Sequence, residues 1–200
     1  MERMALPNEL VLRYFPHGSA ARENLVMSVV ELDKWAASVL TEGLDVAVKG
    51  IAGSQTCSTA LDLIELVAET LTRHAHGQTR DLLSKSIQET LFCSTVTKYG
   101  LTKLEFEERL KQFLDRRGAS GFVRLFLSLH VFNVVWFQTS EWFRATAESN
   151  EAFVHEMDCL ERTARRIVHT TVKSKPYPLT LSSAEQLIAE ISRRLQELRY

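Results

Sequence analysis

The chain has few of the residues that punctuate loops and staple small folds. Four prolines and eight glycines in 200 residues are too few for a loop-rich β protein, a collagen-like repeat or a disordered chain. Three cysteines, Cys57, Cys93 and Cys159, are an odd number, stand far apart and include no CxxC. A secreted disulfide framework is therefore disfavoured, and a reducing compartment, cytoplasm or nucleus, is the expected setting. The opening residues MERMALPNELVLRYFP carry charges throughout and hold no apolar run of signal-peptide length, so no secretory signal is expected. Neither sign of charge is in excess. A net charge of -1 argues against coating nucleic acid or anionic membrane through the overall field.

Catalytic signatures are missing too. Nothing matches GxGxxG, GxxxxGKS/T, GxSxG or HExxH, and there is no ExxH pair of the kind that helical bundles use to hold metal. The carboxylates sit mostly on helix faces among basic neighbours, as with Glu105, Glu107 and Glu108 beside Lys103, Arg109 and Lys111. The chain is therefore expected not to be an enzyme, and to carry no cofactor and no metal.

What is present is helical period. The composition, 45% hydrophobic and 24% charged, suits one globular domain over residues 1–200 with a sizeable core. Apolar residues recur at i, i+3, i+4 and i+7 in every long segment, with no strand-like alternation and no fixed repeat. A short N-terminal piece over 7–16 precedes a long helix from Arg22, bent or broken at Gly43. Further helices are expected from Ser58 or Thr59, with Gly77 as C′ residue, and over 80–99. Thr102 to Glu105 has capping-box spacing and opens the next, which ends at Gly118. Others follow near 120–147, over 151–173 and over 182–199. The last is reached through a Pro-containing linker, 174–181, and Ser182 to Glu185 is a second capping-box match. The fold class is all-α, a single compact bundle of about seven helices with a central apolar helix near 120–147.

That central stretch, GFVRLFLSLHVFNVVWFQ over 121–138, is the most apolar of the chain. Arg124, His130 and Asn133 interrupt it within the roughly 20 residues that a membrane span needs. At about 100° per residue, Arg124, Ser128, Gln138 and Thr139 fall on one narrow side, which reads as the wet edge of a core helix rather than a membrane span. His130 and Asn133, at i and i+3, fall instead on the apolar side near Phe126, Leu129 and Phe137. Buried polar groups need partners. Either they satisfy each other and their surroundings, or they are the fixing groups of a ligand cavity under Phe126, Trp136 and Phe137.

The most specific surface pattern lies on the helix over 151–173. Opposite the apolar face of Phe153, Met157, Leu160, Ala164 and Ile167, the residues Arg162, Arg165, Arg166, His169 and Lys173 form a basic stripe. Guanidinium groups bind carboxylates and phosphates bidentately, so the stripe suits an acidic partner. No aromatic residues interleave with it, and nucleic acid is disfavoured. His155 and Cys159 at i and i+4 are spaced for one metal ion, but no second Cys/His pair stands at metal spacing. After the core helix, Trp142 and Arg144 in TSEWFR either cap the core or offer interface anchors.

In size and helix count the chain is similar to helical adaptor modules such as RUN domains, on no shared motif. The functional expectation is a noncatalytic intracellular interaction domain, an adaptor or scaffold. Its partner is another protein with an acidic or amphipathic-helix surface, with self-association through the C-terminal helix as a further expectation. The alternative is a carrier or sensor of an apolar small molecule or lipid held in the helical core by His130 and Asn133.

Overall fold

A computed structural model of the chain describes residues 18–55, 57–95, 101–172 and 177–197. All regular structure among them is helical: α1 (Ala20–Glu42), α2 (Leu44–Ala52), α3 (Ala60–Leu71), α4 (Gly77–Thr95), α5 (Lys103–Thr146), α6 (Asn150–Val172) and α7 (Leu181–Glu197). Local chemistry sets most of the boundaries. Ser19 caps α1 by accepting from the Arg22 N–H at 3.2 Å. Thr59 with Asp62 and Thr102 with Glu105 close complete capping boxes on α3 and α5, each satisfying two N–H groups that a helix start leaves without partners. Gly43, at φ +89°, separates α1 from α2.

Gly118, at φ 67° and ψ 172°, bends α5, a conformation that side chains with a Cβ rarely adopt. Nine residues of straight helix would separate Phe113 from Phe122 by roughly 13 Å, yet their ring centroids lie 6.2 Å apart. The chain thus turns back at Gly118, as the sequence predicts. Phe122 fills the elbow, with its other side 5.9 Å from the buried Trp35 ring of α1.

Beyond the elbow, α5 is the core of the bundle. Phe122, Val123, Phe126, Leu127, Val131, Val134 and Val135 are buried, and α1, α4 and α6 pack around it. Each such side chain contributes about 1.5–3 kcal/mol by leaving water. The wet edge expected there is only partly present. Ser128 and Thr139 are buried, their hydroxyls donating to Arg124 O at 2.8 Å and Val135 O at 2.7 Å. Satisfying its hydroxyl on the preceding turn lets such a residue enter a core. Phe137, assigned to the apolar side, is 51% exposed.

Two other boundaries differ from expectation. Gly77 opens α4 rather than closing α3, which ends at Leu71 and unwinds through a turn at Thr72 to His74. The cap of α7 is Thr180 with Ser183, whose side chains accept each other's backbone N–H at 3.2 and 2.8 Å, not Ser182 with Glu185. The expected N-terminal piece, residues 96–100, Lys173 and the linker residues 174–176 lie outside the described residues.

α7 packs across α1 and α6, with Ala184, Leu187, Ile188, Ile191 and Leu195 buried. Its lead-in is not a free spacer. Leu179 is buried and its N–H donates to the Asp33 carboxylate of α1 at 2.7 Å. Asp33 is only 1% exposed, and burial raises its pKa, with the Leu179 N–H pulling the other way. Beside it, burial and then the Asp33 charge raise the pKa of Tyr177.

Candidate functional site

Leu160, Ala164, Ile167 and Val168 turn one face of α6 into the core, so the opposite face must look outward. Arg162, Arg165, Arg166 and His169 are all exposed there, and α7 leaves them uncovered. Their engagements differ. Arg165 pairs with Glu161 one turn earlier on the same helix. Arg162 donates to Asp158 O at 3.1 Å and to the Cys159 thiol at 3.4 Å. Among the described residues, neither Arg162 nor Arg166 forms an ion pair. Lys173 lies outside the described residues.

The rim of this ridge belongs to α7. Arg194 donates to the Thr170 hydroxyl at 2.8 Å and joins Arg193 on Glu190. The hydrogen bonds from Arg193 and Arg194 hold the Glu190 carboxyl down at about 2. The sequence pattern did not point to this rim.

His155 and Cys159 are neighbours, with Nε2 and Sγ 3.7 Å apart. No group of three or more His, Cys, Asp or Glu side chains able to hold a metal ion occurs among the described residues. Burial raises the pKa of the other two thiols, Cys57 and Cys93. Trp142 is 41% exposed and packs its ring 5.0 Å from that of buried Phe143, while Arg144 is exposed. Trp142 therefore lies partly against buried Phe143 and partly at the surface.

The buried polar pair is held by residues that the sequence pattern did not single out. Ser86 of α4 donates its one hydroxyl proton to Leu82 O at 2.7 Å. It therefore accepts from Asn133 Nδ2 at 3.2 Å and from His130 Nδ1 at 3.1 Å, which places the imidazole proton on Nδ1. Asn133 gives its second N–H to Glu89 at 2.6 Å, and Glu89 reaches Lys85 at the surface. Burial lowers the His130 pKa to about 4, so the ring is neutral, and it stacks on Phe126 with centroids 5.7 Å apart. Serine at α4's buried positions was the available signal, since a hydroxyl there must serve some partner.

Two shallow grooves lie elsewhere. One, of about 260 Å³, is lined by Trp35, Ala47, Ile51, Lys34 and Arg73 among others. The other, of about 310 Å³, is lined mainly by Asp62, Glu65, Glu69 and Cys57. Neither touches His130 or Asn133. Comparison with protein-family models, with curated protein sequences and with solved structures yields no match. Helix α5 is long and apolar enough to cross a membrane by length and composition, and 67% of its most apolar window is buried inside the bundle.

Proposed function

We propose that the chain is a noncatalytic interaction domain that docks an acidic protein surface on the outer face of α6. The observation that carries this reading is the placement of Arg162 and Arg166. Two permanently charged groups stand in solvent with no ion-pair partner among the described residues, on a helix whose other face is anchored in the core. Such groups are preorganised for carboxylates, because the helix fixes their spacing before any partner arrives. The free cysteines favour an intracellular setting, and the burial of 67% of its most apolar window favours α5 as a core helix rather than a membrane span.

The carrier reading receives less support. The donors of His130 and Asn133 are taken up by Ser86 and Glu89, as expected of groups that fix a core rather than await a ligand. A synthetic Glu-rich helical peptide is the direct probe. The chain is expected to bind it at low salt and lose it as salt rises. Arg162→Glu with Arg166→Glu is expected to abolish binding while the circular dichroism spectrum stays unchanged. Equal binding by the double variant would refute the assignment.

A further inference from the structure

The α5–α6 hairpin is unusually bare at its tip. From Trp136 to Cys159, only Thr139 and Phe143 are buried. Yet this stretch carries Trp136, Phe137, Trp142, Phe153, Val154 and Met157, with Phe137 51% and Val154 56% exposed. Trp136 and Phe153 hold the two helices together, their ring centroids 5.5 Å apart. Phe137, Trp142 and Val154 are the exposed ones on this hairpin, and exposed apolar side chains that lie together mark a docking surface more often than isolated ones do.

The charge on this hairpin is segregated. Glu141, Glu148, Glu151, Glu156 and Asp158 stand against Arg144 and His155 at the tip, whereas Arg162, Arg165, Arg166 and His169 follow against Glu161. Helical geometry aligns the two halves. Glu151, His155, Asp158, Arg162, Arg166 and His169 occur at i, i+4, i+7, i+11, i+15 and i+18, along one outward stripe. The stripe is acidic at its N-terminal end and basic at its C-terminal end. A stripe of that kind is complementary to itself when turned end over end.

We propose that the α6 face binds a second copy of this chain, in an antiparallel two-fold dimer. Glu151 and Asp158 of each copy face the Arg162 to His169 segment of the other. A two-fold axis near the middle of α6 uses both ends of the stripe twice and leaves neither unmatched, as an isologous interface requires. Exposed ion pairs alone are worth little. The apolar contribution comes from Val154, on the flank of the stripe and 56% exposed. This inference rests on the reading of the α6 ridge as a docking surface and names the acidic partner as the chain's own tip. An anionic membrane fits less well, because the exposed aromatics stand among carboxylates that lipid headgroups would repel.

Analytical ultracentrifugation with matched variants tests it. The wild-type chain is expected to sediment at twice its monomer mass at micromolar concentration and to dissociate as salt rises. Arg162→Glu/Arg166→Glu leaves the stripe with carboxylates at both ends and no arginine, and Glu151→Lys/Asp158→Lys leaves it with no carboxylate. Each variant alone is expected to be monomeric, with its dimerisation constant lowered on the order of tenfold or more. An equimolar mixture of the two is expected to recover the dimer, an outcome that misfolded variants cannot produce. Val154→Asp, which leaves the stripe's charges in place, is expected to weaken the dimer as well. A wild-type chain that stays monomeric, or a mixture that fails to restore the dimer, overturns the proposal. If that monomer still binds the Glu-rich peptide through Arg162 and Arg166, the docking ridge survives and only its occupant is wrong. If it binds vesicles rich in phosphatidylserine instead, both readings fall.

Discussion

Lowering the pH probes the buried network directly, because His130 must be neutral to sit where it does. Its pKa falls from the ordinary 6.5 to about 4 in the folded chain, driven by burial. The unfolded chain therefore takes up a proton before the folded chain does. The stability contributed by a neutral His130 is fully present above about pH 6.5 and is lost as pH falls toward 4. The interval corresponds to about 3 kcal/mol at full protonation of the unfolded chain, and to about 2 kcal/mol between pH 7 and pH 4.5. Asp33 acts in the opposite direction, since its raised pKa means that the folded chain holds a proton more readily there. Urea unfolding of the wild type and of His130→Asn, each at about pH 7 and pH 4.5, separates the two. Asparagine keeps an N–H near the Nδ1 position for Ser86 but does not titrate. The variant is expected to be less stable at pH 7, through lost packing on Phe126, and to lose about 2 kcal/mol less than the wild type on acidification. Equal losses in both would refute the account of a neutral, desolvated imidazole.

Other perturbations follow from single contacts. Asp33→Ala strips the acceptor from the buried Leu179 N–H and is expected to cost about 1–3 kcal/mol in a urea titration. Asp33→Asn retains an oxygen acceptor and removes the buried charge, so it is expected to cost less than the alanine. Gly118→Ala forces a Cβ into φ 67° and is expected to destabilise the fold by about 1–3 kcal/mol. An unchanged thermal midpoint would mean that the elbow is not where α5 turns. Thr102→Ala removes half of the α5 capping box and is expected to cost about 1 kcal/mol. Hydrogen exchange should speed up first at the amides of the first turn, including Glu105.

The helices were legible because their signals are local. Thr102, Gly43 and Gly118 each act on their own turn of backbone, and the structure uses all three as the sequence suggests. Gly77 and Ser182 misled because the same signal suits two positions: a glycine at positive φ can precede a helix as well as follow one, and the Thr180 hydroxyl reached Ser183 before Ser182 could serve as the cap. The wet edge of α5 was misjudged for a different reason. Periodicity sorts residues by type, but Ser128 and Thr139 carry their own solution, a hydroxyl turned onto the preceding carbonyl, and need no water. Phe137 failed in the converse way. It is apolar and on the expected side, but it lies toward the bare tip of the hairpin, and only the packing of the whole bundle reveals that.

His130 and the α6 arginines are opposite cases of how a polar group acquires a role. His130 was conspicuous in the sequence because it interrupts an apolar run, and its surroundings turn it inward: Ser86 satisfies its Nδ1 within the fold, in a network that Asn133 and Glu89 extend. Arg162 and Arg166 were inconspicuous one by one and visible only as a stripe, and their surroundings leave them turned outward with no ion-pair partner among the described residues. A polar group satisfied in the core fixes structure, and an exposed charge without an ion-pair partner is available for recognition. By that criterion we propose α6 and the hairpin tip, where acidic and basic halves share one stripe, as the recognition surface rather than the core.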